Sequence, residues 1–116
     1  MANEISIVRG DTSAITITVT DSNGTAYNLT GFEMWCTVKR NKDDPDISAI
    51  LQKQCTIDAP LTGVGVLALT AANTDITPGR YYYDIEIFNG DNSVVKTPIV
   101  STFTILQDIT AKDGGA

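Results

Sequence analysis

The sequence predicts an all-β protein, an antiparallel immunoglobulin-like β-sandwich of about seven strands. Apolar and polar residues alternate with a period of two along most of the chain, which is typical of strands with one buried face. β-Branched residues fill these segments, and clusters of Gly, Pro, Asn and Asp separate them. A sheet that buries only one face needs a covering layer, so we expect two packed sheets around one core.

The first two predicted strands are "EISIVR" (4–9) and "AITITVTD" (14–21). In the second, three aliphatic residues alternate with three threonines, so one face is expected to be buried. The tripeptide Arg9-Gly10-Asp11 between them also occurs in cell-adhesion ligands. A turn explains it sufficiently, because Gly10 can adopt φ values closed to other residues and the Asp11 carboxylate can cap the turn.

The next two predicted strands are "GFEMWCTVK" (31–39) and the weaker "ILQKQCTID" (50–58), joined by the loop "RNKDDPDISAI" (40–50). Trp35 falls on the more polar face, where an indole either lies under a loop or meets a partner. The aspartates of the loop invite a calcium interpretation. Their spacing does not fit a calcium-binding loop and Pro45 stiffens the middle, so we favour a solvated loop.

The remaining predicted strands are "GVGVLALT" (63–70), "RYYYDIEIFNG" (80–90) and "SVVKTPIVSTFTILQ" (93–107). The first is apolar on both faces, which suggests an interior strand. The segment "AANTDITPG" (71–79) allows at most one helical turn. Pro98 withholds one ladder donor, so it predicts a strand edge or a bulge.

Two Asn-Gly pairs predict turns. Asn23-Gly24 lies in "DSNGTAYNLTG" (21–31), which we interpret as a hairpin turn followed by a strand start. Asn89-Gly90 ends the sixth predicted strand, and this pair is favoured where a hairpin requires positive φ. Both pairs therefore predict reversals of the chain.

Composition limits the function. The 116 residues include 8 basic and 14 acidic residues, a net charge of −6 that disfavours nucleic acid and membrane surfaces as partners. There is no histidine, the commonest general base and zinc ligand, and no nucleophile–base pair stands out. We therefore expect no enzyme, no cofactor and no metal site. The acidic, alternating start "MANEISIVRG" is unlike a signal peptide, so we expect an unsecreted chain.

Cys36 and Cys55 are the two cysteines of the chain. A disulfide between them is one alternative. In an unsecreted chain, however, two cysteines are more often reduced thiols that fill the core as small apolar groups. We favour the reduced state.

Three stretches taken together carry a resemblance: "VRGDTSAITITVTDSNGTAYNLTGFEMWCTVKR" (8–40), "GVGVLALTAANTDITPGRYYYDIEIFNGDN" (63–92) and "STFTILQDIT" (101–110). An R-G-D-T opening, a D-x-x-G turn, an "NLTG" strand entry and an "LT…T…PG-Y-YDI" block follow in that order. The pattern resembles small immunoglobulin-like virion proteins of tailed bacteriophages, and is similar to the amino-terminal domain of phage baseplate upper proteins. The resemblance spans nearly the whole chain.

The resemblance implies a structural protein of a phage virion, assembled in the cytoplasm of the host bacterium. The expected partners are the major capsid protein or tail and baseplate proteins, together with further copies of the chain, with a trimer as the preferred assembly. The chain ends soon after "FTILQDIT", where the larger protein continues, so we expect a capsid decoration or cement protein. A baseplate or tail adaptor is the alternative, and a carbohydrate-binding module that stacks glycans on Tyr82 and Trp35 is a competing class.

We expect one domain over residues 1–108 and a tail, 109–116, that makes contacts. Contacts are predicted at both termini, in the loop from Arg40 to Ala49 and at two outward aromatic residues. The individual residues are Met1, Ala2, Asn3, Glu4, Trp35, Asp43, Asp44, Tyr82, Lys112 and Asp113.

Overall fold

The chain folds into seven β-strands in the computed structural model, which describes residues 4–91 and 93–107. Short 3-10 helices at Asp46–Ser48 and Pro60–Thr62 lie in two of the connections. The all-β prediction and the strand count are confirmed, and each predicted strand segment overlaps one observed strand. The strands are β1 (Ile5–Val8), β2 (Ser13–Thr18), β3 (Phe32–Lys39), β4 (Leu51–Ala59), β5 (Val64–Leu69), β6 (Gly79–Asn89) and β7 (Val95–Leu106).

All seven strands belong to one mixed sheet with the order β1-β7-β6-β3-β4-β5-β2. β1 pairs with β7 in parallel, whereas the other strand pairs are antiparallel. The expectation of an antiparallel-only arrangement is therefore wrong at one pair. The reason is that the chain reverses at every connection, so the first and seventh strands run in the same direction when they become neighbours.

The sheet curls until its two ends come close together. β1 and β2 are the ends of the strand order, yet only residues 9–12 join them, so the sheet approaches a closed barrel. The two halves of β4 pair with different strands. Residues 51–55 pair with β3 and residues 56–59 pair with β5, with a register shift between Ile57 and Ala59.

The concave side of the curled sheet holds a single hydrophobic cluster. Buried and less buried residues alternate along β3 and β6, as the period of two predicts. Phe103 is fully buried within the cluster and meets Tyr83 edge to face, with ring centroids 6.2 Å apart. The cluster consists of Ile5, Ile7, Ile17, Val19, Leu29, Met34, Cys36, Val38, Cys55, Leu67, Leu69, Tyr81, Tyr83, Ile85, Ile87, Ile99, Phe103 and Ile105.

The turn at Arg9-Gly10-Asp11 separates β1 from β2. Gly10 has a φ of +83°, so the turn interpretation and its need for glycine are confirmed. The turn is tied to a neighbouring loop: Arg9 Nε pairs with Asp75 Oδ1 at 2.9 Å, and Thr74 Oγ1 donates to the backbone oxygen of Asp11 at 2.7 Å. Asp11 therefore contributes its carbonyl oxygen to this contact, whereas its carboxylate was expected to cap the turn.

The β6–β7 connection differs from the predicted Asn-Gly hairpin. Gly90 lies outside the positive-φ region, in contrast to Gly24, whose φ is +81° in the earlier turn. The side chain of Asn89 closes the connection instead, because its Oδ1 accepts from the Val94 amide at 3.0 Å and its Nδ2 donates to Ser93 Oγ at 2.7 Å. A longer connection spreads the reversal over several residues, so no positive φ is needed at Gly90.

Two finer predictions about strands are confirmed. Pro98 lies in a bulge of β7, because Ile85 pairs with Ile99 whereas Ile87 pairs with Lys96. Thr97 and Pro98 of β7 thus oppose the single residue Glu86 of β6, so the bulge accommodates the backbone N–H that proline lacks. β5 is an interior strand, with β4 on one side and β2 on the other.

Candidate interaction surface

The convex side of β3, β6 and β7 carries several partly exposed aromatic or aliphatic residues. Trp35, Tyr82 and Phe88 are half-buried, and Val95 and Val100 are 52% and 55% exposed. We call these five residues the apolar outer face. Scattered apolar residues on a surface need no explanation, but several on three adjacent strands are typical of a contact surface.

Carboxylates lie between these apolar residues. The register places Trp35 beside Glu86, and Val100 beside Asp84. Trp35 also donates its indole N–H to Glu33 Oε1 at 3.1 Å. The indole is therefore oriented by its own strand while part of its ring remains accessible to a partner.

A shallow depression lies next to Tyr82 on this face. Its volume is about 110 Å³, and Lys42 from the 40–50 loop places its Nζ 5.1 Å from the centre of the Tyr82 ring, a cation–π distance. The tyrosine and the loop, two separately predicted contact elements, are thus brought together. The lining residues are Thr37, Lys39, Lys42, Tyr82, Tyr83, Asp84 and Val100.

Trp35 and Tyr82 do not share one binding position. On β6 the partner of Trp35 is Glu86, four residues beyond Tyr82. Four residues of strand span about 14 Å, so a single sugar ring cannot stack on both aromatic side chains. Trp35 and Tyr82 therefore do not form the single aromatic platform that the carbohydrate hypothesis expected.

The 40–50 loop uses one of its predicted contact residues internally. Asp44 Oδ2 accepts a hydrogen bond from the Asn41 amide at 3.2 Å, which closes the loop, whereas the Asp43 side chain is exposed. Ile47 is 95% exposed, and sequence reasoning did not single it out. An isoleucine inside an otherwise polar loop was the available signal. Among the described residues, no cluster of His, Cys, Asp and Glu is suited to hold a metal ion.

Of the contact residues predicted at the chain termini, the structure describes one. Glu4 is exposed and directly precedes β1. The tail 109–116 lies outside the described residues. So do five of the predicted contact residues: Met1, Ala2, Asn3, Lys112 and Asp113.

Both cysteines are free thiols that face the core. Cys36 pairs with Lys53 and Cys55 pairs with Met34, so the cysteines are diagonal neighbours on β3 and β4. Diagonal positions are roughly 7–8 Å apart, beyond the reach of an unstrained disulfide. Burial raises the pKa of Cys55 to about 11 and, with the charges of Cys55 and Asp84, raises the pKa of Cys36 further. A thiol with a raised pKa is a poor nucleophile at neutral pH.

Comparison with known proteins gives no family for this chain. No protein-family model matches it, and no curated protein matches it significantly. Within residues 4–91 and 93–107, no helix is long and apolar enough to cross a membrane. The functional argument therefore has to start from the surface of the molecule itself.

Proposed function

We propose that this chain is a structural protein of a tailed bacteriophage virion, a capsid decoration or cement protein that binds neighbouring virion subunits. It performs no catalysis and carries no cofactor. The apolar outer face is the observation that carries this proposal, because it offers a broad contact surface on a rigid sheet. The order of turn and strand motifs along the chain, which resembles small phage virion proteins, supplies the biological setting.

The proposal includes an immunoglobulin-like sandwich. The partner change within β4 divides the sheet into β1-β7-β6-β3 with the first half of β4, and β2-β5 with its second half. The two groups approach each other across the core, since a Cβ added to Gly65 of β5 would lie 2.8 Å from Met34 Sδ of β3. Two such groups around a common core support the sandwich arrangement.

The chemistry of the outer face suits protein contacts. Aromatic residues such as Trp35 and Tyr82 combine large apolar area with few rotatable bonds, and they are enriched at interfaces. The neighbouring Asp84 and Glu86 supply a polar component that sets orientation. On a symmetric particle the same contact repeats many times, so each single contact can be weak while the bound layer is stable.

Purified phage particles provide the test. We expect mass spectrometry of gradient-purified particles, released from a bacterium that carries the gene, to detect the chain at many copies per particle. Cryo-electron microscopy should then locate its density on the shell. Density on the tail or baseplate would favour the adaptor alternative, and absence of the chain from particles would overturn the virion role.

Two matched variants test the outer face itself. Val100→Asp places a carboxylate in the middle of the outer face, and Ala68→Asp places one on an exposed position of β5. We expect both proteins to fold, and only Val100→Asp to fail to bind particles that lack the native chain. Equal binding by the two variants would contradict a role for the outer face.

A carbohydrate-binding module is the second candidate, and the accessible indole of Trp35 favours it. The roughly 14 Å between Trp35 and Tyr82 then implies an oligosaccharide that contacts the two rings through different sugar units. Binding on a glycan array that is lost in both Trp35→Ala and Tyr82→Ala would support this candidate. A silent array would leave virion assembly as the better proposal.

A further inference from the structure

The basic residues of this acidic chain are concentrated at one end of the sheet. This end is formed by the 9–12 turn, the 40–50 loop and the 70–78 loop, and we call it the basic end. Of the eight basic residues, Lys112 lies outside the described part and Lys96 pairs with Ile87 nearer the other end. The remaining six lie at the basic end: Arg9, Lys39, Arg40, Lys42, Lys53 and Arg80.

The carboxylates at the basic end are about as many as the cations, so the net charge of this end is close to zero. Among the described side chains they are Asp11, Asp43, Asp44, Asp75 and Asp84, and the 40–50 loop also contains Asp46; Asp75 is already paired with Arg9. Lys42 and Arg40 lie over the rings of Tyr82 and Tyr81, which holds their charges at the rim of the sheet. The end therefore presents several ordered cations although the chain as a whole is acidic.

The opposite end is acidic. It is formed by the 19–31 segment, the 60–63 turn and the 89–95 loop, and we call it the acidic end. Asp21, Glu33, Asp58 and Asp91 lie there. Hydrogen bonds from Ser93 lower the pKa of Asp91, so its carboxylate remains ionised at neutral pH.

At each end the most exposed large aliphatic side chain lies in a 3-10 turn. Ile47 is 95% exposed in the 3-10 turn before β4, and Leu61 is 72% exposed in the 3-10 turn after it. The nine residues of β4 separate the two turns by about 30 Å. One such residue alone would be unremarkable. Two of them at opposite ends of one strand, next to groups of opposite charge, are suited to contact each other between molecules.

We propose that copies of this chain associate head to tail, with the basic end of one copy against the acidic end of the next and Ile47 packed against the neighbour's Leu61. Pairing of two acidic ends would bring carboxylates together, whereas this orientation brings the cations of one end to the carboxylates of the other. Because the interface joins two different surfaces, association continues until a ring closes or a filament forms. The proposal concerns contacts between copies, so it stands or falls separately from the virion role.

Sedimentation of the purified protein gives the first test. We expect the mass to rise above that of the 12.4 kDa chain with increasing concentration, and to fall back at high salt, because salt screens the charges at the two ends. A monomer at every concentration and salt level would overturn the proposal. Incorporation of that monomer into phage particles would still leave the proposed function intact.

Two single-end variants give the sharper test. Ile47→Asp blocks the basic end and Leu61→Asn blocks the acidic end. Neither change adds a cation, so the two altered ends cannot restore their contact through a new ion pair. We expect each variant alone to be monomeric. Mixed together they retain one intact pair of ends, so they should form a 1:1 dimer that does not grow.

Circular dichroism confirms folding of each variant, since both residues are exposed and outside the core. Val100→Ser, on the outer face, is the matched control and should associate like the original chain. Dissociation by Val100→Ser, with normal association of the two end variants, would show that the outer faces pair instead. A mixture that fails to dimerise would also overturn the head-to-tail arrangement.

Discussion

The two faces of β6 use the same residue type for different purposes. Tyr81 and Tyr83 point into the core and are at most 3% exposed, while Tyr82 between them points outward and is half-buried. The hydroxyl of Tyr81 donates to the backbone oxygen of Thr77 inside the protein, whereas the ring of Tyr82 carries Lys42 at the surface. Position on a pleated strand, and not residue type, thus decides which tyrosine stabilises the fold and which remains available to a partner.

This contrast separates stability from recognition. Changes on the inner face should unfold the protein, because the core is closely packed and its apolar contacts supply most of the stability. Changes on the outer face should leave the fold intact and alter binding alone. Three of the following predictions compare a buried position with an exposed one, and the fourth uses the ionisable groups of the core.

Phe103→Ala should cause the largest loss. Phe103 is fully buried, so removing its ring leaves a cavity and costs about 3–5 kcal/mol of unfolding free energy. Val100→Ala, on the outward side of the same strand, should cost less than about 1 kcal/mol. Urea unfolding followed by tryptophan fluorescence measures both. Similar losses would contradict the division between the two faces.

Gly63→Ala should come next. Gly63 has a φ of +71°, and an added Cβ would overlap the backbone oxygen of Val19 and lie 2.9 Å from that of Tyr27. Backbone strain and overpacking together predict a cost of roughly 2–4 kcal/mol. Gly90→Ala is the control, because Gly90 has nothing within 4 Å of an added Cβ. Thermal melts that show equal shifts for the two variants would refute the packing argument.

Thr74→Val should have an intermediate effect. Thr74 is fully buried and donates its hydroxyl to the Asp11 backbone oxygen, so valine keeps the shape and leaves that acceptor unpaired. The expected cost is about 1–2 kcal/mol in urea unfolding. Thr16→Val, at an exposed position of β2, should change stability by less than about 0.5 kcal/mol. Thr74→Ser keeps the donor and should lose less than Thr74→Val.

High pH should destabilise the protein gradually. Burial raises the pKa of Cys55 to about 11 and that of Tyr83 to about 12, above their ordinary values of 9.0 and 10.0. The unfolded chain therefore ionises first, so stability is fully present below pH 9 and is lost as the pH rises towards 12. Urea midpoints measured at pH 8 and pH 10.5 should show the decline. Cys55→Ala should reduce the slope, and an unchanged slope would contradict the assignment.

The local pattern was sufficient to predict the strands and the alternation of their side chains. Ile85 and Ile87, which the structure buries, lie on the opposite side of β6 from Glu86, because successive side chains of any strand point to opposite faces. Pro98 predicted its bulge, and Gly10 its turn, since both depend on the backbone of one residue. The contact surface was less accessible to sequence reasoning, which named Trp35 but not Ile47.

The sequence by itself therefore determined the number of strands, the alternation of side chains between their two faces and the tight turn at Gly10. Only the tertiary structure decided which strands become neighbours: β1 runs parallel to β7, β4 exchanges one partner for another, and Trp35 is separated from Tyr82. The physical reason is range. Alternation and turn chemistry act over a few residues, whereas strand pairing joins segments far apart in the chain and is selected by the closure of a common core.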